Sequence, residues 1–464
     1  MSLREDFISF LSFVPNEEQL QLIDELIAFL LSVDSQSVFL LKGHAGTGKT
    51  SVVSALIRLM KSYNQKTMLL APTGRAAKVM SSYSDAPAYT IHKKIYQQKR
   101  MGEAEFNLAF NSHHHTLFIV DEASMIANGT TMESIYGSGR LLDDLMQYVY
   151  GGQGCRMILV GDDAQLAPVG TLESPAMNKD YLRGYGLNVS VFELKQVARQ
   201  SLNSGILSNA TKIRSLHENF SKVDLPKFHL DNFDDILKIS GSEIVEKLSF
   251  AYDSVGMQDT IVVCRSNKQA SIYNRGIRSQ VLLKEEEIGA GDLIIVNKNN
   301  YFWGKDYEGF EFIANGDIAE VIRVKKHHEL YGLHFVDLYV RFLDYDYELD
   351  VRILLDFLYA DTPEEMKSLS ERLYQSVEED YADIPNKRDR ILQMKQDPFF
   401  NALQVKFAYA ITCHKAQGGQ WDTVFLDQGS LSLGLTDDYY RWLYTALTRA
   451  KKQLFLVNFP KQCF

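Results

Sequence analysis

Short continuous apolar runs alternate with segments of helical spacing along most of the chain. The segment "PNEEQLQLIDELIAFLL" places apolar side chains at Leu20, Ile23, Leu26 and Leu30, which is the spacing of an amphipathic helix. Runs typical of strands buried on both faces cover residues 37–41, 67–71, 116–120, 156–161, 260–264, 423–427 and 453–458. Because these strands alternate with helices, the pattern predicts an α/β fold with parallel sheets of the βαβ kind.

A different pattern covers residues 287–400. Stretches such as "GDLIIVNKNNYFWG" and "LHFVDLYVRFLDYDYELDVRIL" alternate apolar and polar residues with a period of two, and Asn315-Gly316 is a strong turn signal. This region is predicted to be a small antiparallel barrel inserted between strands of a second parallel sheet. Residues 363–385 predict a helical excursion from that barrel, and the interval from about 200 to 250 is predicted to be helical.

Composition is that of an ordinary globular protein. The chain has 464 residues, 45% hydrophobic and 23% charged, which is too long for one core and predicts two to four domains. No apolar run reaches the length of a membrane span, so we expect no membrane partner and a cytoplasmic location. The net charge of −10 argues against wholesale coating of nucleic acid, but it permits a local basic groove. Neither a disulfide framework nor a zinc site is indicated, because the cysteines are scattered at Cys155, Cys264, Cys413 and Cys463.

A glycine-rich loop follows the first apolar run. Gly43-x-x-x-x-Gly48-Lys49-Thr50 lies between a predicted strand and a predicted helix, which is the setting of a phosphate-binding loop. Glycines let successive N–H groups curl around a phosphate, and the helix N-terminus adds partial positive charge. Lys49 would reach the β- and γ-phosphates, and the Thr50 hydroxyl would bind Mg²⁺. The alternative is a glycine-rich turn without a ligand.

Two acids end the run at 116–120. We expect Asp121 to hold Mg²⁺ through water and Glu122 to orient or deprotonate the attacking water, because both side chains emerge at the carboxyl edge of a parallel sheet. The alternative is a pair of solvated acids. With the loop, the pair predicts a nucleoside triphosphatase that uses Mg²⁺.

Three further side chains could act on the γ-phosphate. Gln165 in "GDDAQLAPVG" follows the run at 156–161, and we expect it to contact this phosphate from a neighbouring strand end. Arg199 in "ELKQVARQ" and Arg449 in "YTALTRAKK" could complete a charge clamp, although each alone could be a surface ion-pair partner. An arginine finger contributes roughly 10³ to 10⁵ in rate.

The ordered set of motifs resembles superfamily 1 helicases, and most closely the RecD-like group that moves 5′ to 3′ along DNA. The stretches that carry the resemblance run from Asn16 to Lys452: "NEEQ", "GHAGTGKT", "APTGRAAKVM", "TIHKKI", "DEAS", "GDDAQLAPVG", "LKQVARQ", "AYAITCHKAQGGQWD" and "YTALTRAKK". The resemblance implies two RecA-like P-loop NTPase domains with ATP between them. It also implies that the inserted barrel is SH3-like and that a small β-hairpin forms a pin which splits the duplex.

The implied domain boundaries follow from these motifs. Motor domain 1 is expected at 1–195, with the pin at about 93–113 and its turn at Met101-Gly102. Motor domain 2 is expected at 196–286 and 401–464, and the SH3-like barrel with its helical excursion at 287–400.

The resemblance also assigns binding residues. Gln19 matches the glutamine that reads the adenine edge, although Asn16-x-x-Gln19 is equally a capping box. The expected nucleotide contacts are Gln19, Gly43, Ala45, Gly46, Thr47, Gly48, Lys49, Thr50, Ser51 and Gly419. The expected contacts to the DNA strand are Thr73, Arg75, His92, Thr412, His414, Lys415 and Gln417. Gln420 stands where many relatives carry an acid that holds the ribose, so that contact is in doubt.

Aromatic and histidine positions carry weaker signals. Base stacking is possible for some aromatic residues near the barrel and the pin, although most aromatic side chains in such a chain form core. The candidates are Tyr96, Tyr301, Phe302 and Trp303. The run at residues 113–115 is better explained as a solvated loop than as a metal site, because adjacent strand residues point to opposite faces.

The sequence therefore predicts an ATP-dependent DNA helicase or single-strand translocase. Its partners would be single-stranded DNA and duplex junctions, it is expected to be a monomer, and any nuclease or repair activity would come from partner subunits. An RNA helicase of the same superfamily stays open, because both enzymes grip mainly the backbone. A nucleotide-gated clamp that binds nucleic acid without unwinding it is a further alternative.

Overall fold

The computed structural model describes residues 2–98, 106–129, 136–197, 203–218, 225–305, 307, 312–345, 347–429 and 435–464. Arg199 and the expected pin turn at Met101-Gly102 lie outside these residues.

The N-terminal part of the chain builds a six-stranded parallel sheet. The strands of the sheet are β1 (Ser37–Gly43), β2 (Lys66–Ala71), β3 (Ala88–Thr90), β6 (Thr116–Val120), β7 (Arg156–Gly161) and β8 (Asn188–Leu194). A neighbouring ribbon consists of β4 (Tyr96–Gln98) and β5 (Phe106–Leu108). The sheet has the order β3-β2-β6-β7-β1-β8, and every neighbouring pair is parallel. The strands β4 and β5 form a separate antiparallel ribbon. The helices of this part are α1 (Leu3–Ser9), α2 (Glu17–Leu31), α3 (Lys49–Ser62), α4 (Gly74–Ser84), α5 (Ile91–Ile95), α6 (Leu141–Gly151) and α7 (Lys179–Arg183).

The C-terminal part contains two more sheets. Its strands are β9 (Ile236–Ile239), β10 (Thr260–Cys264), β11 (Leu293–Val296), β12 (Ile318–Leu330), β13 (Leu333–Phe342), β14 (Tyr347–Leu354), β15 (Val405–Phe407), β16 (Ala410–Thr412), β17 (Trp421–Asp427) and β18 (Ala450–Val457). One sheet is parallel with the order β16-β10-β17-β18-β9, and the inserted sheet is antiparallel with the order β14-β13-β12-β11-β15. The helices are α8 (Gly205–Glu218), α9 (Ile244–Ser254), α10 (Asn267–Gly276), α11 (Leu355–Tyr359), α12 (Pro363–Asp380), α13 (Lys387–Met394), α14 (Cys413–Ala416) and α15 (Asp437–Leu447).

The predicted parallel strands are confirmed, because each apolar run lies on a strand buried on both faces. Phe118 and Ile119 of β6 illustrate this, since they are fully buried yet belong to hydrophobic clusters on opposite faces of the first sheet. The short strands β3, β9 and β16 and the outer strand β8 were missed. Strand β8 lies at an edge of the sheet and is exposed at Asn188, Ser190 and Val191, so it lacks the continuous apolar signal.

The inserted sheet shares one hydrophobic cluster with the second parallel sheet. Val340 of β13 and Val262 of β10 are both fully buried members of that cluster. The predicted antiparallel insertion and the helical excursion at α12 are confirmed. Strand β15 lies beyond the predicted end of the insertion at residue 400. It pairs with β11 and forms one edge of the inserted sheet. Within the described ranges, every helix falls short of the length and apolarity that a bilayer requires.

Candidate nucleotide-binding cleft

A cleft of about 1120 Å³ opens at the carboxyl edge of the first sheet, facing the segment that connects α15 to β18. Carboxyl edges of parallel sheets are where α/β proteins bind ligands, because side chains after adjacent strands converge there. The predicted site residues that line it are Gln19, Ala45, Gly46, Gly48, Lys49, Thr50, Ser51, Asp121, Glu122, Gln165 and Arg449. The fold therefore brings these predicted residues, from segments far apart along the chain, into one cleft.

The phosphate-binding loop connects β1 to α3. Gly46 and Gly48 have φ values of 79° and 89°, in the left-handed region that favours glycine. A Cβ on Gly48 would also lie 2.6 Å from Nε2 of Gln19. Lys49 Nζ donates to the carbonyls of Gly43 and His44, so its positive charge lies at the loop. Gly43 and Thr47 stabilise the loop but do not line the cleft. Gly43 packs closely on β8, because a Cβ on it would lie 3.0 Å from Leu194 Cβ. The Thr47 hydroxyl donates to the His44 carbonyl within the loop.

The acids after β6 differ in environment. Asp121 accepts hydrogen bonds from the Tyr83 hydroxyl at 2.7 Å and from the Glu122 N–H at 2.8 Å. Glu122 has a left-handed backbone with φ 52°, an unusual conformation for a side chain with a Cβ. Burial raises the pKa of Glu122 to about 7, although the charges of Arg449 and Lys49 oppose that rise. A carboxylate poised near neutrality in a cleft suits a general base.

A buried polar cluster that the sequence motifs did not predict follows β7. Asp162 is 1% exposed and accepts hydrogen bonds from the Tyr444 hydroxyl at 2.6 Å and the Ala164 N–H at 3.1 Å. The His44 ring nitrogen Nδ1 lies 3.3 Å from the same carboxylate. Burial alone would raise the pKa of Asp162, but the hydrogen bond from His44 and the charge of Lys49 hold the pKa below its ordinary value. The signal available in the sequence was the acid at the end of a buried strand in "LVGDDAQ".

Gln165 lies in the same segment at the edge of the cleft. It is 6% exposed, and its side-chain oxygen Oε1 has no hydrogen-bond partner among the described residues. Burial of an unpaired amide oxygen is costly, so this side chain is available for a ligand that enters the cleft.

Arg449 approaches the cleft from the opposite side to the phosphate-binding loop. It is 2% exposed, and its guanidinium donates to the carbonyls of Thr445 and Gly419 and to the Thr448 hydroxyl at 2.9 to 3.1 Å. Gly419 itself does not line the cleft, so its expected nucleotide contact is replaced by this support of Arg449.

Gln19 forms the capping box that the sequence offered as an alternative. Its Oε1 accepts from the Asn16 N–H at 3.0 Å, and Asn16 Oδ1 accepts from the Gln19 N–H at 2.8 Å. The remaining Nε2 group donates to the Thr47 carbonyl at 3.0 Å. Gln19 thereby ties the start of α2 to the phosphate-binding loop, and an adenine contact would compete with these bonds.

The expected strand contacts of the first part are mostly engaged within the protein. Thr73 caps α4 by accepting from the Ala76 N–H at 3.2 Å. Arg75 stacks on Trp421 at 4.0 Å and donates to the Gln420 carbonyl at 3.4 Å. His92 packs against the rings of Tyr96 and Tyr136 at 5.7 and 4.9 Å.

Burial lowers the pKa of His92 to about 4, so this residue is neutral at pH 7. A neutral His92 would meet a phosphate as a hydrogen-bond donor without a positive charge, and its contact with the DNA strand stays a prediction.

The strand contacts expected from the second part divide in the same way. His414 is exposed, and Lys415 is partly buried with its ammonium donating to Asn297 Oδ1 at 2.7 Å. Thr412 and Gln417 are buried, and Gln417 Nε2 donates to the Leu166 carbonyl at 2.8 Å. Gln417 therefore joins the two parts of the chain.

Two of the aromatic stacking candidates, Tyr96 and Tyr301, pack with Phe106 of the β4–β5 ribbon in one hydrophobic cluster. Tyr301 lies 5.1 Å from Phe106 of the ribbon, and Trp303 donates to the Asn401 carbonyl at 2.8 Å. Tyr96 is 5% exposed, and Phe302 packs edge-on against Trp303. Tyr96 is part of the core, whereas Tyr301, Phe302 and Trp303 are partly buried, so base stacking by these three stays a prediction.

The histidine run at 113–115 precedes β6 in a non-regular segment, as expected. Among the described residues, the one group of potential metal-ligand atoms within 4.8 Å consists of His44, Asp162 and Asp163, and Lys42 already pairs with Asp163 at 3.1 Å.

Two family models match separate parts of the chain. The model described as "AAA domain" matches residues 15–225, and the model described as "UvrD-like helicase C-terminal domain" matches residues 407–457. Together they cover both sides of the cleft. The two models and the order of the motifs support a resemblance to superfamily 1 DNA helicases of the RecD-like group.

Curated relatives with the same resemblance cover most of the chain. It is 23% identical over 460 residues to the ATP-dependent RecD2 DNA helicase of Deinococcus radiodurans, covering 95% of this chain and 48% of the relative. It is 23% identical over 441 residues to the ATP-dependent DNA helicase Dda of Enterobacteria phage T4, covering 90% and 93%. The chain thus spans about half the length of RecD2 and nearly all of Dda.

The fold is also that of a solved Pif1 helicase. A structure described as DNA unwinding at forked double-stranded DNA by two coordinating Pif1 helicases has a TM-score of 0.50 and 16% identity, covering 97% of this chain and 94% of that one. At this identity the likeness concerns the fold.

Proposed function

We propose that this chain is an ATP-dependent DNA helicase or single-stranded DNA translocase that moves 5′ to 3′. The observation that carries the proposal is the cleft, where Lys49 and Glu122 of the first part face Arg449 of the second. Charges on both sides of a triphosphate make its hydrolysis depend on how the two parts approach each other. The relatives RecD2 and Dda, both named ATP-dependent DNA helicases, support it.

The proposed chemistry is phosphoryl transfer to water. Water attacks the γ-phosphorus while the bond to the β-phosphate oxygen breaks, which gives ADP and phosphate, and Glu122 accepts the proton of the water. Lys49 and Arg449 stabilise the negative charge on the transferred group, and Gln165 donates to it from its amide Nε2, since phosphoryl oxygens accept hydrogen bonds.

Oxygen donors in the cleft fit a magnesium ion. The Thr50 hydroxyl and the Asp121 carboxylate both line it, and Mg²⁺ prefers such hard oxygen ligands. We propose that these two residues hold Mg²⁺, which supplies neutralisation of the phosphate charge. Tyr83 and the Glu122 N–H keep the Asp121 carboxylate oriented.

The proposed organisation keeps the boundaries inferred from the sequence. Residues 1–195 would form motor domain 1, and 196–286 with 401–464 would form motor domain 2. The insertion at 287–400 would be SH3-like, and the β4–β5 ribbon would be the base of the pin that separates the strands. The pairing of Tyr96 with Leu108 in that ribbon supports a hairpin here.

Phosphate release with and without a DNA oligomer tests the proposal. The wild-type chain should hydrolyse ATP much faster with single-stranded DNA, and Lys49→Ala should remove turnover because the loop loses its cation. Lys42→Ala is the matched control: Lys42 lies on β1, just before the phosphate-binding loop, and pairs with Asp163 outside the cleft, so this variant should keep turnover. Wild-type turnover in Lys49→Ala would overturn the mechanism.

Substrate class and polarity need a second comparison. Duplexes with a 5′ tail should be unwound and those with a 3′ tail should not. Stronger stimulation by RNA than by a DNA oligomer of the same sequence would indicate the RNA helicase. Tight strand binding without stimulation of hydrolysis would indicate the clamp.

A further inference from the structure

Tyr444 links the two sides of the cleft through a single oxygen. The residue lies on α15 and is 2% exposed. Its hydroxyl donates to Asp162 Oδ2 at 2.6 Å and accepts from the N–H of Ala45 at 2.8 Å. One phenol from the second part of the chain is therefore bonded both to the acid after β7 and to the phosphate-binding loop.

The electrostatics fix the direction of these bonds. The pKa of Asp162 is lowered, so its carboxylate is ionised and accepts. Burial and the neighbouring Asp162 charge raise the pKa of Tyr444 well above its ordinary value, so the phenol stays protonated and donates. The second lone pair of the oxygen then serves the Ala45 N–H.

Two other side chains of α15 form hydrogen bonds to the segment after β7. The Thr445 hydroxyl accepts from the Leu166 N–H at 2.8 Å, and Arg441 Nη1 donates to the Asp163 carbonyl at 2.9 Å. Gln165 lies between these anchor points. The position of α15 is thereby fixed relative to the residue expected to contact the γ-phosphate.

The same helix carries Arg449 at its end. Arg449 Nε donates to the Thr445 carbonyl at 2.9 Å, one residue after Tyr444. Nη2 donates to the Thr448 hydroxyl at 3.1 Å. The guanidinium therefore follows the C-terminal turn of α15, and a displacement of that turn would displace the arginine.

We propose that Tyr444 is a positioning residue that couples the phosphate-binding loop to Arg449. Its hydroxyl fixes the position of α15 relative to the phosphate-binding loop. The position of α15 in turn determines where the Arg449 guanidinium lies relative to the transferred phosphoryl group. The inference rests on the proposed ATP hydrolysis and gives a role to Tyr444, which begins the "YTALTRAKK" motif but received no role from the sequence.

Tyr444→Phe tests the proposal because it keeps the ring and removes both hydrogen bonds. We expect kcat for DNA-stimulated ATP hydrolysis to fall roughly ten- to a hundredfold, since a small misplacement of a catalytic group costs about that much. KM for ATP should change little, because Lys49 and the loop glycines are untouched. Tyr439→Phe is the matched control: its hydroxyl lies on the same helix and accepts from Gln428 of the same part of the chain.

A double-mutant cycle separates positioning from general stabilisation. In an Arg449→Ala background, Tyr444→Phe should cause little further loss, because the residue acts through the arginine. A wild-type kcat in Tyr444→Phe, a loss equal to that of Tyr439→Phe, or a full additional loss in the double variant would overturn the proposal.

Failure of the proposed function and failure of the role of Tyr444 give different results. Absence of DNA-stimulated hydrolysis in the wild-type chain would refute the proposed function itself. If Tyr444→Phe does not fold, as judged by its thermal unfolding, Thr445→Val is the second variant. It removes the hydrogen bond from the Leu166 N–H that holds α15 in place, and it keeps the Thr445 carbonyl that accepts from Arg449. It should lower kcat selectively in the wild-type background and not in Arg449→Ala, and an unchanged kcat would overturn the proposal.

Discussion

Single residues in this protein owe their charge state to what surrounds them. Glu122 and Asp162 are both buried acids in one cleft region, yet the pKa of Glu122 is raised to about 7 and the pKa of Asp162 is lowered. The difference follows from hydrogen bonding, since Asp162 accepts from Tyr444 and is bonded to His44. Two acids pushed in opposite directions suit different roles: a proton acceptor and a permanent anion.

His92 provides a prediction at this scale. His92→Phe should leave the affinity for single-stranded DNA and its salt dependence unchanged, because the imidazole is neutral and packed among aromatic rings. Binding titrations at several salt concentrations and pH 7.5 would measure both. A phosphate contact by a charged residue would instead reduce the slope of log K against log salt by about one, and such a reduction would contradict this assignment.

At the scale of elements, the junction between the second parallel sheet and the inserted sheet depends on one buried acid. Asp292, fully buried before β11, accepts from Arg278 Nη2 at 3.0 Å, Lys284 Nζ at 2.8 Å and the Tyr409 hydroxyl at 2.7 Å. The Gly289 N–H also donates to it at 2.8 Å. Arg278 follows α10 and Tyr409 precedes β16, so the acid ties three elements together.

Removing this acid should destabilise the protein strongly. Asp292→Ala leaves two cations without their partner in the interior, and we expect a loss of about 3–5 kcal/mol in the free energy of unfolding. Chemical denaturation would measure it. Asp350→Ala is the control: Asp350 pairs with Lys325 but its side chain is 61% exposed, so its loss should cost about 1 kcal/mol or less. Equal losses in the two variants would contradict the role of Asp292.

At the scale of the whole molecule, the inserted sheet touches the first part of the chain through its β13–β14 turn. Tyr345 lies so close to the start of α4 that a Cβ on Gly74 would clash with its hydroxyl, and the Lys93 ammonium lies 3.9 Å from its ring. The Tyr345 hydroxyl donates to Asp317 at 3.3 Å. Burial, with a contribution from the neighbouring Asp344, raises the pKa of Asp317 to about 7.

This buried acid predicts a pH-dependent stability. The folded chain binds the Asp317 proton up to about pH 7, whereas the unfolded chain releases it near pH 4. Raising the pH through that window therefore lowers stability by at most about 1.4 kcal/mol per pH unit. Asp317→Asn cannot titrate, so its stability relative to wild type should rise between pH 5 and pH 8 in denaturant titrations. Parallel pH profiles for the two proteins would refute this assignment.

Local patterns were sufficient for the central strands of the sheets and for the phosphate-binding loop of the cleft. The apolar runs predicted the central strands because burial on both faces leaves no polar position in them, and the loop from Gly43 to Thr50 predicted its own geometry. Such features depend on residues close together in the sequence. The edge strand β8 escaped because exposure on one face interrupts its apolar run.

The sequence by itself determined the sheets, the phosphate-binding loop and the acids after β6, since each is encoded by neighbours along the chain. Only the tertiary structure decided that Tyr444 bonds to the loop, that Arg75 stacks on Trp421, and that His92 is neutral. The physical reason is that these properties depend on contacts between distant segments and on burial. Periodicity does not report which side chains from another part of the chain will meet a residue, nor how much water they leave around it.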